Sequence, residues 1–426
     1  MPKEMEERRD FPGLTDKLYN QPAKTYQEVV SAFADLLEMP GTETIKVVLA
    51  ALIANKMDSA DPVWLFLVAP SSSAKTEFVN ALDKVPSTYM LSQLTPNTFL
   101  SGRKTKHETS LLLRLPRQCT LLQKDFTTIL TMRTEHRSEI LGQLREIYDG
   151  KYVKETGEGR TLHWEGKMGF ISGVTLEIEK AIMENSKFGD RFLYWRLPEV
   201  DEKEAMKKVF SMLYSSNATR QEIQNTVVGF LEKIDVTSKI NFDQNSEEIR
   251  NLQDVTIFTM KARCSIEKDY RQKTILNIGS PEGSMRTFKQ ILTLAGALNL
   301  IDAANNNQKL NNVISKENLE ILIKIIFDAI PSRRFKVLKS LYNYRGISAT
   351  TSDIGISCGF PTDTTRMILE ELVCCGLAER KSKEDAEQST EHEWLMPFEA
   401  IKIMDLRYGS VAQPNEQTVE HEEIVF

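Results

Sequence analysis

The stretch "VAPSSSAKTE", residues 68–77, follows directly on the apolar run "VWLFL" and decides how the first half of the chain is read. A loop that cradles phosphates is usually written G-x-x-x-x-G-K-[ST], with glycines for tight turning, a lysine for the β and γ phosphates and a hydroxyl for Mg²⁺. Here Ala69 and Ala74 stand at the glycine positions, and Lys75 and Thr76 are present. Alanine is tolerable where the backbone stays helical or extended and costly where φ is positive. Position 74 falls where the following helix begins, so alanine is acceptable there, whereas Ala69 has no such explanation. The stretch has two readings: a phosphate loop formed by Ala69, Pro70, Ser71, Ser72, Ser73, Ala74, Lys75, Thr76 and Glu77, or a serine-rich strand-to-helix turn that binds nothing.

Working outward, short β-like runs alternate with helical patterns from residue 63 to about 198: "VWLFLVA", "STYML", "QCTLLQ", "MGFISGV" and "RFLYWRL". That alternation predicts a mainly parallel sheet flanked by helices. Two helices precede it, "TYQEVVSAFADLLEM" and "TETIKVVLAALIANKM", parted by "PGT". Residues 1–24 are polar and broken by Pro12, Gly13 and Pro22, and are expected to form a tail or a wrapping arm, which leaves 25–198 for the α/β unit. From 199 to 305 β-like runs give way to helical patterns, so a helical subdomain is expected there. Residues 306–331 read as a linker with one connecting helix. Residues 332–400 read as three helices and a charged hairpin, the pattern of a winged helix whose core is Phe335, Leu338, Leu341, Ile354, Leu369 and Leu372. Residues 401–426 read as an acidic tail.

Composition is that of an ordinary globular chain of 426 residues, 41% hydrophobic and 27% charged. A net charge of −6 argues against coating nucleic acid by bulk charge, so any DNA contact must come from local basic patches. The five cysteines have no C-x-x-C pairing, which disfavours a zinc ribbon or a disulfide framework. No signal peptide is evident, and "VVLAALIA" at 47–54 is far short of the ~20 residues that span a bilayer, so a cytoplasmic protein not inserted in a membrane is expected.

Further polar residues stand at the ends of the apolar runs. Asp125 ends "CTLLQKD", Thr175 ends "GFISGVT", Arg191 precedes "FLYWRL" within "GDRF", and Arg286 opens the helix "SMRTFKQ". Taken in order and with their spacing, "SAKT", "KDFTTILTMRTEHRSEILGQLREIYDG", "FISGVT", "GDRF" and "SMRTFKQILTLAGAL" resemble the MCM-like branch of AAA+ ATPases, and more closely the MCM-like helicases of bacterial mobile elements and prophages. The resemblance covers roughly residues 60–305. It implies a P-loop AAA+ α/β fold with a helical lid, ATP and Mg²⁺ as cofactors, and hydrolysis of ATP. Residue by residue it implies Lys75 and Thr76 on phosphates and Mg²⁺, Asp125 as the acidic motif and second metal-side oxygen, Thr175 as first sensor, and Arg286 as second sensor. Arg191 would be the finger that reaches a neighbour's ATP, which implies a homo-oligomer, a ring of six. The chain departs from the branch in one respect. The acidic motif there is Asp-Glu, whereas here the pair is Lys124-Asp125, so one carboxylate is missing.

For DNA, the loop "SGRKTKHET" offers Arg103, Lys104 and Lys106 with no acid before Glu108. The stretch "YDGKYVKETGEGRTLHWEGKMG" reads as a β-hairpin with Lys151, Lys154, Arg160 and Lys167 for phosphates and His163 and Trp164 for stacking. Its bland reading is a solvated hairpin, since Glu155, Glu158 and Glu165 offset the charge. The third helix of the winged-helix segment offers Arg366 against Asp363, Glu370 and Glu371, so protein docking is as good an expectation there as DNA binding. Two functions remain in play: an ATP-driven ring motor on DNA, and an ATP-dependent oligomeric switch that recruits or regulates another protein in defence or transposition.

Overall fold

The computed structural model describes residues 17–59, 61–71, 73–102, 108–157, 159–184, 191–269, 274–279, 283–381 and 392–409. The chain divides into two compact units. One runs to Ser265 and resumes at Gly279–Ala329, and the other comprises Ile266–Ile278 and the residues from Ile330 onward.

In the first unit, α1 (Tyr26–Leu36) begins at a capping box: Thr25 Oγ1 accepts from Glu28 N–H, and the Glu28 carboxylate accepts from Thr25 N–H at 2.7 Å. The residues ahead of it, 17–24, form an arm on the unit's surface. Leu18 N–H donates to Lys84 O, Lys24 N–H donates to Gly229 O, and the buried Lys17 ammonium donates to Thr88 Oγ1. Next come α2 (Glu43–Lys56), β1 (Trp64–Val68), α3 (Lys75–Asn80), β2 (Thr88–Leu91), α4 (Leu111–Arg114) and β3 (Gln118–Gln123). They are followed by α5 (Thr127–Leu130), α6 (Thr134–Tyr148), β4 (Lys151–Glu155), β5 (Thr161–Glu165), β6 (Lys167–Val174), α7 (Glu177–Glu184) and β7 (Phe192–Arg196).

Five of these strands make one sheet in the order β2-β3-β6-β1-β7, all neighbours parallel. This is the sheet the alternating runs predict, and its strands β1, β6 and β7 are mostly apolar and buried because both faces are covered. Trp64 and Phe66 of β1 point to one face, where Phe126, Phe170, Phe192 and residues of α6 complete an aromatic core. Phe66 stacks on Phe192 with centroids 3.8 Å apart. Leu65 and Leu67 alternate to the other face, where Trp195 of β7 donates its indole N–H to Thr44 Oγ1 of α2 at 2.9 Å. Sandwiched between the sheet and a later helix, α2 is buried on nearly every side, which is why it is mostly apolar without an amphipathic stripe, and its buried Lys46 is paired with Asp302.

Beyond β7 come α8 (Glu202–Ser211), α9 (Ser216–Leu231), α10 (Glu247–Ala262), α11 (Ser284–Asn306) and α12 (Lys316–Phe327). The helix α9 packs on α1, and α11 packs on α2. Two sequence expectations need correction here. The segment 199–305 is not free of strands, because β8 (Ile266–Asp269) and β9 (Thr274–Ile278) form an antiparallel pair that groups with the second unit. And the helix expected to connect domains, α12, packs on α10, α11 and β7 within the first unit. The expected linker begins only where Asn307 takes the left-handed conformation that ends α11.

The second unit adds α13 (Ser332–Asn343), β10 (Ala349–Thr350), α14 (Thr351–Cys358), α15 (Thr362–Cys374), β11 (Glu379–Lys381), β12 (Glu393–Leu395) and α16 (Phe398–Tyr408). Its strands form an antiparallel sheet, β10-β12-β11. Leu338, Leu341, Ile354, Leu369 and Leu372 are buried as expected, but Phe335 is only half-buried and Val337 takes its place. Glu371, read from the sequence as a surface acid, is buried in an ion pair with Arg334 at 2.5 Å. Residues 401–408, expected in the tail, continue α16 and bury Met404, with Gly409 as its cap; residues 410–426 lie outside the described residues. Among the described residues no helix is long and apolar enough to cross a membrane.

Candidate functional site

From β1 the chain passes to β2 at the far edge of the sheet, whereas from β6, the neighbour of β1, it passes to β7 on the other side of β1. Right-handed crossovers then put the helices that follow β1 and β6 on opposite faces. Accordingly, Phe78 of α3 stacks on Phe33 of α1, while Ile178 of α7 joins the aromatic core beneath the other face. Where neighbouring connections diverge in this way a crevice opens at the carboxyl ends of the strands, and ligands of open α/β sheets bind there. The loop 69–74, Asp125 and Thr175 all leave the sheet at this edge.

The missing glycines have a local explanation. Ala69 N–H donates to Val174 O at 3.2 Å, so Ala69 continues the β1–β6 hydrogen-bond ladder by one residue. Ala74 precedes α3 at φ −67°, ψ 4°. No described residue of the loop has positive φ, and alanine serves at both ends. Ser71 and Pro70 are exposed, and Ser72 lies outside the described residues.

Lys75 is buried, and its ammonium donates to Ala69 O at 2.8 Å, to Ser73 Oγ at 2.9 Å and to Pro70 O. Burial pulls its pKa below the usual lysine value, and the negative charge of Asp125 works against that shift. Gly173 in β6 makes the crossing possible: a Cβ there would lie 2.7 Å from Lys124 O and 3.2 Å from Lys75 Cβ, so only glycine lets the lysine stem and the acidic turn close on the strand. The turn is also hung from β6 by Phe126 N–H on Gly173 O at 2.8 Å.

Asp125 is exposed at the carboxyl edge of the sheet, and its Oδ1 accepts from Thr127 N–H at 2.9 Å. Thr127 was not singled out from the sequence. Its hydroxyl donates to Thr175 Oγ1 at 3.1 Å and accepts from Thr175 N–H at 3.0 Å, tying the acidic turn to the end of β6. Gln123, at the end of β3, is fully buried. Its Nε2 donates to Asp125 O at 3.4 Å, and its Oε1 has no hydrogen-bond partner among the described residues. Thr76 is exposed in the first turn of α3. Glu77, counted with the loop, turns instead to α9, where Arg220 grips it by Nε on Oε2 at 2.9 Å and Nη2 on Oε1 at 2.7 Å. Arg220 too was invisible to motif reading.

Arg191 and Arg286 are not at this edge. Both guanidinium carbons lie 5.6 Å from the ring centroid of Tyr148, and Arg191 is paired with Asp149 at 3.1 Å. Tyr148 in turn packs edge-on against Trp64, the first residue of β1. β1 spans four steps of ~3.3 Å, roughly 13 Å, so the two arginines at its amino end do not reach the Lys75 of their own chain.

The basic candidates disperse. Arg103, Lys104 and Lys106 lie outside the described residues. Lys151 pairs with Glu165 at 3.5 Å on the exposed face of the β4–β5 hairpin, Lys154 donates to Leu100 O at 3.1 Å, and Arg160 closes the turn with its N–H on Thr156 Oγ1. Lys167 does not belong to the hairpin's open face. Its ammonium donates to Met57 O and Ser59 Oγ at 2.8 Å at the carboxyl end of α2, and burial pushes it down to about 8. Of the two stacking candidates His163 is exposed, but Trp164 is buried in the aromatic core because strand alternation turns it inward with Tyr152 and Leu162.

The residues at the carboxyl edge fit a Mg²⁺-bound triphosphate in kind: a lysine ammonium, loop N–H groups and hydroxyls for anionic oxygens, and Thr76 and Asp125 as oxygens for the ion. Among the described residues no group of three or more His, Cys, Asp or Glu gathers to hold a metal by itself. Magnesium is commonly held by one or two protein oxygens together with substrate phosphates. No family model and no curated protein sequence matches the chain.

Proposed function

We propose that the chain binds ATP with Mg²⁺ at the carboxyl edge of its parallel sheet, hydrolyses it, and works as a homo-oligomeric motor on DNA, a ring of the MCM-like AAA+ kind that its motifs resemble. In this reading 199–305 serves as the helical lid and 332–400 as a winged helix that contacts DNA or a protein partner. One observation carries the proposal: Lys75, Asp125 and Thr175, far apart in sequence, leave the same edge of the sheet, with Gly173 letting Lys75 and the acidic turn close on β6 and Thr127 tying that turn to Thr175. Lys75 would neutralise the β and γ phosphates, Thr76 and Asp125 would hold the ion, and Thr175 would face the γ phosphate. Phosphoryl transfer is catalysed mainly by charge stabilisation and alignment, which this set can supply. Arg191 and Arg286, out of reach of their own loop, would complete the site of a neighbouring copy, and a head-to-tail assembly follows from that division.

The oligomeric switch is the second reading, and two observations favour it. Asp125 is the one carboxylate in the acidic turn, beside the exposed Lys124, which favours slow turnover. On the exposed face of the β4–β5 hairpin Lys151 is matched by Glu165, which weakens a DNA track there.

The test is the hydrolysis rate and the assembly mass, each measured with and without single-stranded DNA, for the wild type and Lys75→Ala. Loss of roughly 100-fold or more in hydrolysis by Lys75→Ala is expected from removing a charge aimed at the transferred group. An unchanged rate in that variant refutes the proposal. DNA-stimulated turnover selects the motor, and slow turnover indifferent to DNA selects the switch.

A further inference from the structure

The helix α8 buries none of its own residues, although it carries an apolar stripe. Met206, Val209 and Phe210 recur at the i, i+3, i+4 spacing that marks a helix face meant for packing, and Leu213 and Tyr214 continue the apolar patch in the turn that follows α8. Phe210 is 81% exposed and Tyr214 98% exposed. A ten-residue helix has little stability by itself, even with the cap that Asp201 gives by accepting from Lys203 and Glu204 N–H. Helices of this length owe their stability to the burial of an amphipathic face. The two aromatic side chains alone present roughly 300 Å², which puts the patch in the range of roughly 300–600 Å² of the largest apolar patch on a typical monomer, a patch that is often functional. The whole stripe is on the order of half the ~800 Å² that each partner gives to a standard interface, so the occupant must also cover adjoining surface, as a folded subunit does.

The position of α8 indicates which subunit. Its start lies five residues after Leu197, whose N–H donates to Val68 O at the carboxyl end of β1. Its end leads into α9, where Arg220 grips Glu77 beside Lys75. The stripe therefore flanks the loop edge of the sheet. On the opposite edge, next to Arg286, Met285 is 74% exposed. A head-to-tail contact that carries the Arg286-bearing edge of one copy to the loop of the next brings the stripe and Met285 to the same interface.

We propose that the apolar face of α8 docks on a second copy of this chain, against the arginine-bearing edge around Met285. The placement of the arginines at a neighbour's loop rests on the ATPase reading; the exposed stripe does not. The test uses the full chain in sedimentation velocity, alone and with MgATPγS, comparing the wild type with Phe210→Glu/Tyr214→Glu, whose melting curve serves as the folding control. An assembled wild type and a folded, monomeric variant that binds MgATPγS as the wild type does are expected. A mixture of Tyr214→Cys and Met285→Cys chains should cross-link on oxidation. The inference falls if the wild type is monomeric under both conditions, if the double variant assembles like the wild type, or if Tyr214→Cys cross-links only with itself. If MgATPγS does not bind but assembly still depends on Phe210 and Tyr214 and the mixed pair cross-links, the contact stands and the ATPase reading fails.

Discussion

Gly173→Ala tests whether the crevice works as a unit. The added methyl would lie 2.7 Å from Lys124 O and 3.2 Å from Lys75 Cβ, with Lys75 Cδ at 3.6 Å. Carbon contacts are comfortable at ~3.5–4.0 Å, so the acidic turn and the lysine stem must separate from β6 by roughly 0.5–1 Å. Overpacking of this kind costs about 1–3 kcal/mol, and in a unit this large that is a fall of roughly 2–6 °C in Tm. The effect on chemistry is expected to be larger than the effect on stability, because a misplacement near 1 Å costs about 100-fold in rate. Gly169→Ala is the matching control. It lies four residues earlier in the same strand, where a Cβ would meet Asn55 Nδ2 at 2.2 Å, so it destabilises the sheet without touching Lys75 or the acidic turn. The assay is ATP hydrolysis for both variants at a temperature where both are folded, beside their melting curves. A folded Gly173→Ala protein with the wild-type rate refutes the reasoning, and so does an equal loss of rate in both variants.

Asp125→Asn keeps an oxygen for Thr127 N–H, so it should fold and bind MgATPγS like the wild type while turnover is lost; normal turnover removes Asp125 from the site. Glu371→Leu leaves the buried Arg334 without its carboxylate and should cost the second unit about 3–5 kcal/mol in denaturant unfolding, most of which Arg334→Met/Glu371→Leu should restore. Burial lowers the pKa of Lys167 from the ordinary 10.5 to about 8, so between those pH values the unfolded chain binds more protons than the folded one and stability rises with pH. Lys167→Met should flatten that rise in melting curves from pH 8 to 10.5 without abolishing it, because Lys56 is held down to about 8 in the same way.

The elements that carry the site were legible because their signals are local. Apolar runs bounded by polar residues mark β1, β3 and β6, and Lys75, Asp125 and Thr175 stand at the ends of those runs, so a parallel sheet already implies that they leave it at one edge. The partners that hold them there left no such trace. Thr127 and Thr175 are 48 residues apart and Arg220 and Glu77 are 143 apart, and a threonine or an arginine has the same sequence signature whether it grips a partner or faces water. Trp164 and Lys167 were misread for a related reason: a short polar-apolar alternation shows that a strand has two faces but not which of them meets the core.

The α/β alternation, the helix α2 and the acceptability of Ala74 are legible in the chain alone, since each depends on residue spacing and backbone preference over a few positions. Only the folded chain shows that Ala69 extends the sheet ladder, that a side chain at Gly173 would press Lys75 and the acidic turn off β6, and that Arg191 and Arg286 share Tyr148 at the far edge of the sheet. These are distances between segments remote in sequence, set by how strands pair and helices cross the sheet, and no local pattern encodes them.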